Sequence, residues 1–170
     1  MNTTTTTTRR EKHNQLPETC GMVPPQATDI EEIVLAGLMG DSEAYYKTNM
    51  LLSSDSFYKP EHQAIYLAIQ TLAQKGKPID VMTVTRQLHD TGKLEEVGGA
   101  YALTIIYAKV SNSYHIEHHA RIVAQTAMQR ELIRIGRETA ATAFDATIDI
   151  DVQIGELRNK LAELENMALS

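Results

Sequence analysis

From Ser111 onward the chain sets a condition that a cluster of short helices cannot meet by itself. Ser111-Asn112-Ser113 offers capping residues ahead of an unbroken helical stretch of about 30 residues reaching Phe144, well above the usual helix length, so this helix is expected to project beyond a small globule. Its apolar residues form two stripes, one through Ile116, Ala120, Val123 and Ala127, the other through Ile122, Ile133, Ala140 and Phe144. Two stripes need two neighbours. One neighbour follows directly: after the short turn DATID, the residues Ile150, Ile154, Leu157, Leu161 and Leu164 recur at 4-3-4-3 spacing, a coiled-coil seam. So short a connection makes the pair an antiparallel hairpin. The seam could be satisfied entirely against the long helix, but a projecting two-helix hairpin buries too little to be stable alone, so the second stripe is expected to meet another subunit. The candidate hairpin and dimer contacts are therefore Ile116, Ala120, Val123 and Ala127 on the long helix, and Ile150, Ile154, Leu157, Leu161 and Leu164 on the last one.

The preceding chain reads as short helices. Thr28 and Glu31 have capping-box spacing ahead of Ile30, Ile33, Val34 and Leu38, and Gly40-Asp41 ends that helix. A second short helix is expected over Ala44 to Leu52. SSDSFYKPEHQ then supplies turn residues and a Pro for the first turn of a helix whose face is Ile65, Ile69 and Leu72, stopped by Gly76. Asp80 can cap a helix running through Leu88, with Val81, Val84 and Leu88 inward. TGKLEEVGG is a glycine-punctuated loop, and Tyr101, Ile105 and Ile106 mark another helix. Helices this short must pack on one another. The opening MNTTTTTTRREKHNQ has almost nothing apolar to bury and is expected to be a mobile tail. The resulting division is a threonine-rich tail over 1–23, a helical globule over 24–110 and a hairpin over 111–167.

Composition agrees with an all-α chain: two Phe, no Trp and five Pro, with abundant Ala, Leu, Ile, Glu and Gln, suit helices rather than a sandwich or barrel. The single Cys20 cannot form an internal disulfide, and neither a membrane-length apolar run nor a signal sequence is visible, so a soluble cytoplasmic protein is expected. A net charge of -6 argues against a whole surface that grips DNA, because phosphate binding depends on Lys and Arg displacing counterions. A local exception is Arg130, Arg134 and Arg137, whose i, i+4, i+7 spacing makes a one-sided basic strip that an acidic partner or a nucleic-acid backbone could use, although with Glu131 and Glu138 nearby a solvated face is the commoner reading.

Candidate chemistry is sparse. In HIEHH, His115 lies one turn below His118 and His119, but those two diverge by about 100° and Glu117 points elsewhere, so helix-start residues are a better reading than a metal site. GKP at Gly76 and TGK at Thr91 lack both the upstream glycine and the following Ser or Thr of a phosphate loop, and no Walker A sequence occurs in these 170 residues. No nucleophile stands at triad spacing. Tyr45, Tyr46, Phe57 and Tyr58 are expected mostly as core anchors.

Three segments in order, PPQATDIEEIVLAGLMGD, FYKPEHQAIYLAIQTLAQKGKPIDVMTVTRQLHDTGKLEEVGGAYAL and HHARIVAQTAMQRELIRIG, resemble the N-terminal domain of the bacterial hexameric replicative DNA helicases, the DnaB family, over about residues 24 to 166. The middle segment is the most specific. The resemblance implies a helical globule and hairpin, hairpins paired into dimers, and three dimers in a hexameric collar that docks the C-terminal domain of primase. It also admits a helicase loader as partner, while the net negative charge and the lack of an aromatic-basic platform lead to an expectation of weak single-stranded DNA binding without sequence preference, through the arginine strip if at all. It implies no catalysis and no cofactor in this chain. ATP and Mg belong to a following RecA-like motor, which would make the full-length parent an ATP-dependent 5'-3' DNA helicase. The threonine-rich tail has no counterpart in the family pattern, and the chain is expected to be a domain excised from a full helicase. The alternatives are a free-standing helical adaptor that docks helicase or primase and, more remotely, a metal enzyme using His115 and His119. The parent gene's length separates the first two.

Overall fold

The computed structural model describes residues 21–109 and 115–169; residues 1–20 of the expected tail and the Ser111-Asn112-Ser113 cap lie outside them. Among the described residues there are seven α-helices and no strand: α1 (Thr28–Gly40), α2 (Ser42–Thr48), α3 (Pro60–Gln74), α4 (Val81–Asp90), α5 (Gly99–Tyr107), α6 (Ile116–Ala143) and α7 (Ile150–Leu169), with a 3-10 turn at Ser54–Ser56. The fold is all-α, a small helical globule followed by a long antiparallel hairpin.

Local sequence explains most of these boundaries. Asp80 caps α4, its carboxylate accepting from the N–H groups of Met82 and Thr83 at 2.8 Å each, while the Thr83 hydroxyl accepts from the Asp80 N–H at 3.0 Å. Pro60 opens α3, where its missing N–H costs nothing. Gly98 precedes α5 at φ 86, a left-handed conformation that L side chains rarely adopt. Helix α2 starts and stops earlier than its expected span, because Asp41 caps it through the Glu43 N–H at 2.9 Å.

Helix α1 is the spine of the globule. Val34, Leu35 and Leu38 are fully buried and pack in one cluster with Ile65 and Ile69 of α3, Val84 and Leu88 of α4 and Leu103 and Ile106 of α5. Phe57 and Tyr66 close the cluster with ring centroids 5.0 Å apart, and the Tyr66 hydroxyl donates to the Leu52 carbonyl at 2.9 Å. Of the aromatics expected as anchors, Tyr45 and Phe57 are buried, Tyr46 is exposed and Tyr58 is half-buried.

The first turns of α6 belong to this same core. Ile116, Ala120 and Val123 are 4, 0 and 0% exposed within the cluster, so the stripe expected to serve the hairpin or a dimer is occupied by the globule. Periodicity reveals an apolar face without revealing which neighbour takes it. Gly37 makes the approach possible: a Cβ there would stand 2.8 Å from Cδ1 of Ile116. Beyond Ala124, α6 leaves the cluster and α7 returns along it. The Gln153 side-chain amide donates to the Thr142 carbonyl at 3.0 Å, and Lys160 pairs with Glu138 at 2.8 Å. Ile135 is 2% exposed on the part of α6 that this register brings opposite α7.

Candidate functional site

The hairpin carries apolar side chains that nothing among the described residues covers. On α7, Ile150, Ile154 and Leu161 are 62, 49 and 37% exposed, whereas Leu157 and Leu164 of the same seam are half-buried. Phe144, at the end of α6, is 77% exposed. The 4-3-4-3 row is thus shared: part faces α6 and part faces solvent. Scattered exposed apolar residues are ordinary, but a row of them along a projecting hairpin has the form of an interface. Ala127 lines an open cleft of about 630 Å³ formed by Met50, Leu51, Leu52, Met128 and Leu164, between the globule and the base of the hairpin.

The arginine strip is not three equivalent free cations. Arg130 is spent within the chain: one terminal nitrogen donates to the Pro25 carbonyl at 3.0 Å, the other to the Ser56 carbonyl at 2.8 Å, and the guanidinium lies 5.6 Å from the centre of the Tyr58 ring. Arg134 is held by Glu131 at 2.6 Å and Glu138 at 2.9 Å, and these carboxylates, Glu131 foremost, raise its pKa above the ordinary arginine value. Only Arg137 of the three has no ion pair or hydrogen bond among the described residues. Spacing placed three arginines on one face and Glu131 and Glu138 beside Arg134, but the backbone carbonyls that claim Arg130 could not be read from it.

Glu31 does not cap α1. Ala27 stands at the N-cap with no side-chain hydrogen bond, and Glu31 turns into the core, where it is fully buried. Its Oε1 accepts from the Tyr58 N–H at 2.8 Å and its Oε2 from Nδ1 of His62 at 2.7 Å. His62 is 2% exposed, and its other ring nitrogen lies 3.7 Å from Glu32. Glu32 pairs in turn with Lys109 and, at 3.7 Å, with Lys59. Burial works against the charged form of Glu32, but Lys109, with Lys59 and His62, outweighs it and holds the carboxyl below its ordinary value. The whole chain of contacts escapes a reading by local motif.

At the start of α6, the His118 and His119 rings are 6.0 Å apart. Burial pushes the His119 pKa below the ordinary histidine value, and the neighbouring His118 and His115 add to that shift. Among the described residues no group of three or more His, Cys, Asp or Glu side chains is arranged to hold a metal ion, and no helix is long and apolar enough to cross a membrane.

A helical globule that continues into a partly uncovered helical hairpin defines an all-α head-and-arm domain. The DnaB-like helicase N terminal domain family model matches residues 23–125, and the chain belongs to that family. It is 33% identical over 156 residues to the replicative DNA helicase DnaB of Rhodothermus marinus, covering 88% of this chain and 16% of that protein. Against the Geobacillus stearothermophilus replicative DNA helicase DnaB it is 32% identical over 142 residues, covering 84% of this chain and 31% of the relative. The chain therefore spans a minor part of the helicases it matches. The crystal structure of the N-terminal domain of DnaB helicase from Mycobacterium tuberculosis superposes with a TM-score of 0.78 at 28% identity, covering 83% of this chain and 99% of that one.

Proposed function

We propose that this chain acts as a non-catalytic assembly and docking domain of a replicative DNA helicase. Its hairpins pair two copies, three pairs build a hexameric collar, and the paired hairpins receive the C-terminal region of a primase. The observation that carries this reading is the uncovered row of Ile150, Ile154 and Leu161, which a second hairpin of the same kind would cover. Ile116, Ala120 and Val123 are withdrawn from the interface, because the globule already holds them. The domain arrangement further suits this role, with the globule as head and the hairpin as contact arm. A DnaB-like replicative helicase that shares the fold is known with its primase interactions, at a TM-score of 0.67. In this reading ATP and Mg act in the motor of the full-length helicase, and single-stranded DNA meets this domain weakly, with Arg137 as the available cation of the strip.

Light scattering over a wide concentration range tests the pairing. The parent chain is expected to reach the mass of a dimer and then of larger assemblies. The double variant Ile150→Glu/Ile154→Glu is expected to stay monomeric with unchanged helicity, since both side chains already face solvent. A parent that is monomeric throughout overturns the reading. Primase docking is tested by titrating the C-terminal region of the cognate primase against the parent and against this variant. Equal affinity for both would contradict a groove built from two chains.

A further inference from the structure

Past Val123 the contact between globule and hairpin changes character. The apolar cluster ends near Ala124, and two open clefts of about 630 and 580 Å³ lie along the next stretch of α6. Arg130 lines both. It stands between the two spaces as a polar bridge to the globule, binding the carbonyls of Pro25 in the lead-in to α1 and of Ser56 in the 3-10 turn. We propose that Arg130 is a positioning residue that fixes the angle at which the hairpin leaves the globule, latching α6 across a gap that apolar packing leaves open.

The lever arithmetic favours such a latch. The packed turns from Ile116 to Val123 cover only about 10 Å of helix axis, while Val123 to Ala143 extends about 30 Å further at 1.5 Å per residue. A pivot of about 15° at Val123 would carry the far end of α6 through roughly 8 Å. A second anchor about 10 Å beyond Val123 converts a hinged rod into one held at two points. Arginine suits the position because its planar fork reaches two acceptors at once while its face rests on a ring, which the point charge of lysine does not reproduce.

The platform beneath the latch is itself braced. The Tyr58 N–H donates to Glu31, whose second carboxylate oxygen is held by buried His62, so the backbone carrying the Tyr58 ring is tied to both α1 and α3. Around Ser56, the Ser53 N–H donates to the Ser56 hydroxyl at 3.0 Å, which stiffens the turn that offers the other carbonyl. The latch therefore grips a rigid part of the globule. If the hairpins pair as proposed above, the latch also sets the direction in which the apolar row is presented; that step rests on the pairing, whereas the latch within one chain does not.

Distance distributions between spin labels test it. In a Cys20→Ser background, labels at Lys75→Cys, beyond the end of α3, and Ala146→Cys, at the hairpin turn, report the position of the hairpin tip relative to the globule. Doubly labelled chains are diluted into a large excess of unlabelled chains, so that only distances within one chain contribute. The parent is expected to give a narrow distribution. Arg130→Ala is expected to broaden it by several ångströms, and Arg130→Lys to fall between the two, with helicity retained in both. Tyr58→Leu keeps the N–H bonded to Glu31 and the apolar bulk but removes the ring face. It is expected to broaden the distribution as well, and it decides the matter should Arg130→Ala unfold. A distribution as narrow as the parent's in folded Arg130→Ala, or in Tyr58→Leu where Arg130→Ala does not fold, overturns the latch, whether or not the chains dimerise.

Discussion

Replacing Glu31 by Ala is the most demanding single test of how the globule is held together. Its carboxylate is fully buried and accepts two hydrogen bonds, from His62 at 2.7 Å and from the Tyr58 N–H at 2.8 Å. Truncation leaves both donors without their acceptor and opens space beside Val34 and Leu35. An orphaned buried polar group costs about 1–3 kcal/mol, and the truncation leaves two donors, the His62 ring and the Tyr58 N–H. The half-exposed surroundings of Tyr58 let water replace part of its bond, so the expected loss is about 3–4 kcal/mol. Against a total stability of roughly 5–15 kcal/mol this is a large fraction. Glu31→Gln keeps an oxygen for the Tyr58 N–H and should lose only about 1–2 kcal/mol. The assay is urea unfolding followed by circular dichroism at fixed protein concentration, since self-association would otherwise shift the midpoint. A double-mutant cycle with His62→Phe should give a coupling of about 1–3 kcal/mol. Additive effects, or a Glu31→Ala loss below about 1 kcal/mol, would refute the idea that this pair braces α1 against α3.

Val123→Asp should unfold the globule at a cost above about 4 kcal/mol instead of merely separating subunits, which thermal denaturation of the dilute protein would reveal. Asp80→Ala removes the α4 cap and should cost about 1 kcal/mol in urea unfolding. The lowered Glu32 pKa means that its contribution to stability is fully present above the ordinary glutamate range and is lost as pH falls through the lowered folded value. Lys109→Met should therefore flatten the acid limb of a plot of unfolding midpoint against pH, and an unchanged limb would remove the role given to that pair.

The helices and hairpin were legible because their signals are local: Asp80 and Pro60 at helix starts, and a 4-3-4-3 row after a short turn. The polar interior was harder to read. Thr28 and Glu31 have capping-box spacing, yet Glu31 also stands at position i of an i, i+3, i+4, i+7 row with Val34, Leu35 and Leu38, which places it on the buried stripe. His62 stands the same way before Ile65, Tyr66 and Ile69. A charged residue in register with an apolar row is a signal that a buried partner exists elsewhere, and two such residues in one small domain are natural partners. The commitment of Arg130 carries no comparable signal, because its acceptors are backbone carbonyls 105 and 74 residues away and every residue has one. The exposed half of the α7 row was visible as an apolar seam, but its division between α6 and solvent depends on how the two helices are turned about their axes, and spacing alone does not set that.

The close approach of Gly37 to Ile116 bears on how freely parts of this domain can be exchanged. The residue that receives the first turn of the hairpin lies in α1, and the side chain that fills the space lies in α6, so the fit is divided between two stretches of chain. A chimera that grafted a hairpin from a relative onto this globule would inherit one half of the fit and lose the other unless positions 37 and 116 travelled together. Head and arm thus form a matched pair, and recombination between them should succeed where the crossover carries α1 along with α6.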